Sequence, residues 1–287
     1  MKKFCFIQKE INIPGLKETY RILHVTDVHI AMWDAHDENT VITVGAHKGK
    51  KLVSEFGVKR AKHFSVEGVS TADQFTDLCN FLQADGSSFA DAVVFTGDIL
   101  DFYTDAAFEF MLQNLNKLPM PYLFVLGNHD CIFSRHGQSL TLARFATLCG
   151  ENYKVQTLTL GELSLVGAYN GNYTYDSETL ELLSDAIRNQ AHVLLFQHVP
   201  INSPALDKDY QRLGKHNIVI GSDACPTQST SKELLMQMID REDSPVHALI
   251  CGDSHVDHSG PLTEKITQHV SPLFRDFPPV LFTVKGG

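Results

Sequence analysis

No run in this chain approaches the roughly 20 apolar residues that a membrane helix needs, so no spanning segment is expected. There is no CxxC pair either. Cys5, Cys79, Cys131, Cys149, Cys225 and Cys251 are scattered, which argues against a zinc knuckle, a redox dithiol or a disulfide framework and suits a reducing compartment. Positive charge is in deficit: 24 Lys and Arg stand against 34 Asp and Glu, for a formal net charge of −10. Non-specific binding of nucleic acid needs many basic contacts to phosphate, so a nucleic-acid partner is not expected. Residues 1–10 open with Lys2 and Lys3 and then a short apolar trio, Phe4 to Phe6, without the longer apolar core and cleavage site of a signal peptide. Internal repeats and low-complexity tracts are missing. Together these absences read as a soluble, cytoplasmic protein.

What is present is an ordinary globular balance, 43% hydrophobic and 20% charged over 287 residues, enough for a sizeable core without staples. A large α/β domain can reach this length, so residues 1–287 are read as one domain with insertions. Strand-like runs at 21–26, 91–96 and 122–126 alternate with helical spacing at 70–83 and 105–118, an order that implies parallel strands and crossover helices. Further along, 153–160 and 163–168 flank Gly161-Glu162 as a hairpin. Helices are expected at 176–189 and 232–240, buried strands at 193–197 and 247–251, and strand pieces broken by prolines over 266–284. Residues 31–65 and 202–228 read as loops or insertions. The first carries His36, His47, Lys48, Lys50, Lys51, Lys59 and Arg60, read either as a basic cap beside a site or as a solvated face.

Five short motifs gather chemistry, four of them directly after expected strands, where open α/β sheets place ligands. They are Asp27-Val28-His29; Gly97-Asp98 with Asp101; Gly127-Asn128-His129-Asp130; Gln197-His198; and Gly252-Asp253-Ser254-His255. Taken singly, an Asp-x-His or a Gly-Asp is weak, since Gly-Asp is a common turn. Gly-Asn-His-Asp is more specific, because four polar or turn residues after an apolar strand have little structural reason to be there. The ordered set brings Asp, His and Asn to one sheet edge. Mixed oxygen and nitrogen donors suit Mn²⁺, Fe or Zn²⁺ better than Ca²⁺.

From Asp27 to His255 this set resembles the calcineurin-like metallophosphoesterase superfamily, whose pattern runs DxH, GDxxD, GNH[DE], a lone His and GHxH. The resemblance implies an α/β fold, a β-sandwich flanked by helices in four layers (αββα), with two divalent metals at the strand ends. It implies Asp27, His29, Asp98 and His255 on one metal, and Asp98, Asn128, His198 and Asp253 on the other, with Asp98 bridging. His129 matches the family's catalytic histidine and Asp101 the acid that orients it. Mn²⁺ is the favoured ion, with Fe, Zn²⁺ and Mg²⁺ as alternatives. The implied activity is phosphomonoester or phosphodiester hydrolysis by a metal-bridged hydroxide. The substrate would be a small phosphorylated molecule or nucleotide.

The last motif departs from the pattern: Asp253 stands where the family has a histidine. With two divalent ions and a hydroxide the site's formal charge falls to about zero, against about +1 with histidine, which shifts the expectation toward harder ions. A rival register takes His255 and His258 as the ligand pair, and ranks lower because Gly252 directly follows the strand. Arg135 and His136 are candidate phosphate contacts, Asn170 a candidate site residue, and Cys131 has no activating pattern. The competing reading is an inactive scaffold on the same fold.

Overall fold

Strand runs such as Ala92–Thr96 are buried at every position, which marks strands covered on both faces. The computed structural model describes residues 4–43, 49–86, 89–132, 138–150, 152–215, 219–222 and 229–287. Its strands are β1 (Ile7–Ile13), β2 (Tyr20–Val25), β3 (Val41–Thr43), β4 (Lys50–Leu52), β5 (Ser65–Val66), β6 (Val69–Ser70), β7 (Ala92–Thr96), β8 (Tyr122–Val125), β9 (Val155–Leu160), β10 (Leu163–Ala168), β11 (His192–Phe196), β12 (Val246–Cys251), β13 (His258–Pro261), β14 (Thr267–Val270) and β15 (Val280–Gly286). The helices are α1 (Val53–His63), α2 (Thr71–Asp85), α3 (Asp105–Leu115), α4 (Asn128–Ile132), α5 (Gln138–Leu148), α6 (Ser177–Ile187), α7 (Pro204–Leu213) and α8 (Ser229–Ile239).

Two mixed sheets form the body, one ordered β1-β15-β2-β7-β8 and the other β13-β14-β12-β11-β10-β9. The β2-β7-β8 and β10-β11-β12 ladders are parallel, as the crossover helices require. The sheets pack face to face: Ile22, Val94 and Val125 of one meet Leu165, Phe196 and Ile250 of the other in one buried cluster. Because side chains alternate along a strand, Val93 and Phe95 point the opposite way from Val94. They meet Phe75, Leu78 and Leu82 of α2 and Met111 of α3. On the far sheet, Val166, Leu195 and Leu249 pack on Leu183 of α6, Tyr210 of α7 and Leu235 of α8. The result is the helix–sheet–sheet–helix layering that the sequence implies.

Differences from the sequence reading are local. α2 starts behind a capping box, Ser70 accepting from the Asp73 N–H while the Asp73 carboxylate accepts from Ser70. α3 ends at Leu115, short of Pro119, where two 3₁₀-type turn bonds, Lys117 to Asn114 and Leu118 to Leu115, take over. β1 falls where no strand is expected, and pairs in parallel with β15. Within 31–65, read as a loop of weak periodicity, the chain forms the β3-β4 hairpin and α1. Within 202–228 it forms α7, opened by Ser203 as N-cap and Pro204 in the first turn, and closed by Gly214.

Candidate metal centre

The ends of β2, β7, β8, β11 and β12 meet along one edge of the sandwich. Pairing of the β2 and β7 chains continues past the strands: Asp27 N–H donates to Gly97 O (3.0 Å) and His29 N–H to Asp98 O (2.8 Å). The first two motifs are thereby fixed side by side. Asp27, His29, Asp98, Asp253 and His255 have φ of 54°, 54°, 52°, 61° and 54°. This left-handed backbone is uncommon for non-glycine residues and clusters where structure serves function. It turns each side chain out of the strand direction and toward a common point.

Two glycines let the loops approach. A Cβ on Gly127 would lie 2.2 Å from Asp98 Oδ1, and one on Gly252 would lie 1.9 Å from Thr26 Oγ1 and 2.5 Å from Asp27 Oδ2. The Asp130 carboxylate ties two loops, accepting from the N–H groups of Asp98, Leu100 and Gly127 at 2.8 Å each. Burial, with Asp98 adding, pushes the Asp130 carboxyl up to about 7.

The seven side chains implied as ligands converge here. His255 Nε2 stands 3.2 Å from Asp27 Oδ1 and 3.4 Å from His29 Nε2, and His29 Nε2 is 3.7 Å from Asp98 Oδ2. On the other side of Asp98, His198 Nε2 is 3.3 Å from Asp98 Oδ1, 3.1 Å from Asn128 Oδ1 and 3.5 Å from Asp253 Oδ1. Asp98 therefore faces both groups through different oxygens. Asp27-His29-His255 and Asp27-Asp98-His198 are each close enough to hold one ion.

Two observations fit metal at this place. Asp27 Oδ1 is buried, and its near neighbour His255 Nε2, at 3.2 Å, does not meet it in hydrogen-bond geometry, which leaves it an orphan acceptor of a rare kind among the described residues. The carboxylates of Asp27, Asp98 and Asp253 also crowd around His198. Burial, reinforced by Asp27 and Asp98 against His198, pushes the Asp253 carboxyl up to about 6. Carboxylates packed this tightly need compensating positive charge.

His129 and Asp101 lie beside the ligand groups. Burial would lower the His129 imidazole, but Asp98 and Asp101 outweigh it and raise it to about 9. Its Nδ1 donates to Asp101 O at 2.7 Å, with the Asp101 carboxylate at 3.3 Å. That carboxylate bonds His29 Nδ1 at 3.0 Å and is gripped by Arg60 through Nε (2.6 Å) and a second nitrogen. Asp101 thus orients two histidines, one by its backbone and one by its side chain. Arg60 comes from α1, packs 4.8 Å from the Phe64 ring centroid, and Phe64 in turn stacks on His29 at 4.3 Å. The sequence flagged Arg60 only as one charge in a basic stretch.

The ligand groups open into a cleft of about 590 Å³, walled by Arg60, His63, Phe64, Tyr173, Tyr210 and Lys215 among others. Arg135 and His136 lie outside the described residues. Asn170 does not line the cleft: it is buried, its oxygen accepting from the N–H groups of His198 (3.1 Å) and Val199 (2.9 Å). His258 pairs with Asp209 at 2.8 Å on α7, apart from the ligand groups, which leaves the His255–His258 register without support. Cys131 is buried, and burial pushes its thiol up to about 12, so it offers no thiolate.

The sequence profile of calcineurin-like phosphoesterases matches residues 20–257, spanning every motif above. The chain belongs to the calcineurin-like phosphoesterase family. No curated protein sequence matches it. Among solved structures, a dimetal phosphatase from Danio rerio is similar at 12% identity and a TM-score of 0.54, with 91% of each chain covered. A 5'-nucleotidase from Candida albicans SC5314 aligns at 10% identity and a TM-score of 0.45, over 94% of this chain and 47% of that one. The likeness to the dimetal phosphatase bears on the fold. Membership of the phosphoesterase family, together with the clustered donors, supports metal-dependent phosphoester hydrolysis in general.

Proposed function

We propose that this chain hydrolyses a phosphate ester of a small molecule at a two-metal centre. The observation that carries this reading is the double convergence on Asp98, whose two oxygens face separate donor groups. Asp27, His29, Asp98 and His255 would hold one ion, and Asp98, Asn128, His198 and Asp253 the other. The nitrogen and oxygen donor set favours Mn²⁺, with Fe, Zn²⁺ and Mg²⁺ as other occupants. When bound, such a pair supplies Lewis-acid charge toward phosphoryl oxygens and makes water more acidic.

The chain's own residues do the rest. His129, whose imidazole Asp98 and Asp101 raise, stands at the cleft wall where it can hydrogen-bond a phosphoryl oxygen or hand a proton to the departing alcohol oxygen. Asp101 holds the ring so that Nε2, not Nδ1, faces the cleft. A cleft of about 590 Å³ lies in the range for small ligands. Arg60 and Lys215 give it positive charge despite the acidic whole, and Phe64 and Tyr210 offer aromatic faces, which fits a nucleotide or other phosphorylated metabolite. Long nucleic acid does not fit as well, because a basic stripe is missing from the sequence.

The test is turnover of aryl phosphate mono- and diesters by chelated protein reloaded with Mn²⁺. Turnover should return with metal and fall about 10²–10⁴-fold in His129→Ala, while that variant keeps its bound metal. No hydrolysis across a broad phosphoester panel in any divalent metal sinks the proposal and favours a binding scaffold.

A further inference from the structure

None of the five motifs includes the turn after β10, yet that turn touches the loops of three implied ligands. Asn170 accepts the backbone N–H of His198 at 3.1 Å and of Val199 at 2.9 Å, and donates to Val199 O at 2.8 Å. A Cβ on Gly171 would lie 2.9 Å from the carbonyl carbon of Gly127, so this turn packs directly on the loop that presents Asn128. Tyr173, with φ of 60°, is held by its N–H to Asn170 O at 2.8 Å, and its hydroxyl donates to Asp253 Oδ1 at 2.9 Å. That same oxygen faces His198 Nε2 at 3.5 Å. Asn128, His198 and Asp253 are the residues that, with the bridging Asp98, make up one of the two proposed half-sites.

The geometry points to the Asn170–Tyr173 turn as the positioning element of that half-site, with Tyr173 as a positioning residue for Asp253. This rests on the two-metal reading above. A carboxylate oxygen has two lone pairs. The phenol occupies one and fixes the rotamer, and the other would be left for an ion. An imidazole in this position would present a single lone pair and have no use for such a donor. Tyr173 therefore accompanies the Asp253 departure from the family pattern: it makes a flexible carboxylate serve as a one-atom ligand. Partners of this kind typically contribute 10–100-fold in metal affinity.

The experiment is calorimetric titration of chelated protein with Mn²⁺ alone, for wild type, Tyr173→Phe, Asp253→Ala and the double variant, with circular dichroism confirming each fold. Wild type should take up two ions. Tyr173→Phe should weaken one of them about 10-fold and leave the other unchanged. In the Asp253→Ala background the same substitution should change nothing. Affinities within twofold of wild type, equal weakening of both ions, or full additivity with Asp253→Ala overturns the positioning role while the two-metal reading stands. Wild type binding fewer than two ions overturns both.

Discussion

Asp101 sits where three side chains meet, and its surroundings show how one residue can serve several purposes at once. Its buried carboxylate accepts from His29 and Arg60, and its carbonyl from His129. Burial would raise this carboxyl, but Arg60 and the two histidines hold it well below the usual range. Arg60 is the only fixed charge among these partners, since the histidines can give up their protons. Arg60→Ala should therefore cost about 2–3 kcal/mol, less than breaking a fully buried pair because the arginine is part exposed, and Arg60→Lys should restore part of it. Urea unfolding of metal-loaded protein measures this. A change under about 0.5 kcal/mol, the scatter of surface substitutions, would show that the guanidinium is dispensable. At this scale the sequence was legible where chemistry is repeated in short motifs. Asp27, His29, Asp98, Asn128, His129, His198, Asp253 and His255 all converge. Arg60 and Tyr173 were not legible as partners, and Asn170 only as a candidate that faces the site, because a single arginine, tyrosine or asparagine has no spacing to betray its partner.

Elements were legible in proportion to their periodicity. α2 shows Phe75, Leu78, Cys79 and Leu82 at helical spacing, and all four are buried. α1 was hidden by Gly57 in its middle, a residue that weakens a helix. The structure explains the glycine: a Cβ there would lie 2.6 Å from the Trp33 ring. β1 was hidden because it is an edge strand, with only Ile11 and Ile13 buried, so its alternation is faint. The loops between elements obey a different constraint, close backbone approach. Gly252→Ala places a methyl group on Thr26 and Asp27, so it should displace Asp27 and destabilise the fold by about 1–3 kcal/mol, as overpacking does. Thermal melts and metal content report the two effects together. A variant that keeps full metal content and its melting temperature would mean that these loops move apart freely.

Across the whole molecule, the interior between the sheets contains a polar thread. His24 is fully buried, with Ser271 Oγ at 2.7 Å on one nitrogen and Thr96 Oγ1 at 2.6 Å on the other. Burial lowers this histidine to about 3, so the folded protein holds it neutral. The unfolded chain takes up a proton near pH 6.5 and the folded protein does not, so this contribution is present above pH 6.5 and lost as pH falls toward 3. Between pH 7.5 and 5, wild type should lose about 2 kcal/mol from this group, and His24→Gln should not. The stability gap between the two proteins should narrow by that amount in urea titrations at both pH values. A constant gap means that His24 is not held neutral. The same thread leads to the site, for Thr96 O accepts from His198 Nδ1 at 2.6 Å, and Asp253 N–H crosses from the other sheet to Asp27 Oδ2 at 3.0 Å. The two sheets are therefore buttoned together along the edge that carries the ligands. Mechanically, the sandwich resembles a book with a clasp, and the donor groups are the clasp. An ion seated there would do more than chemistry: it would set how far the two covers can part, making the grip on metal and the grip of one sheet on the other a single property.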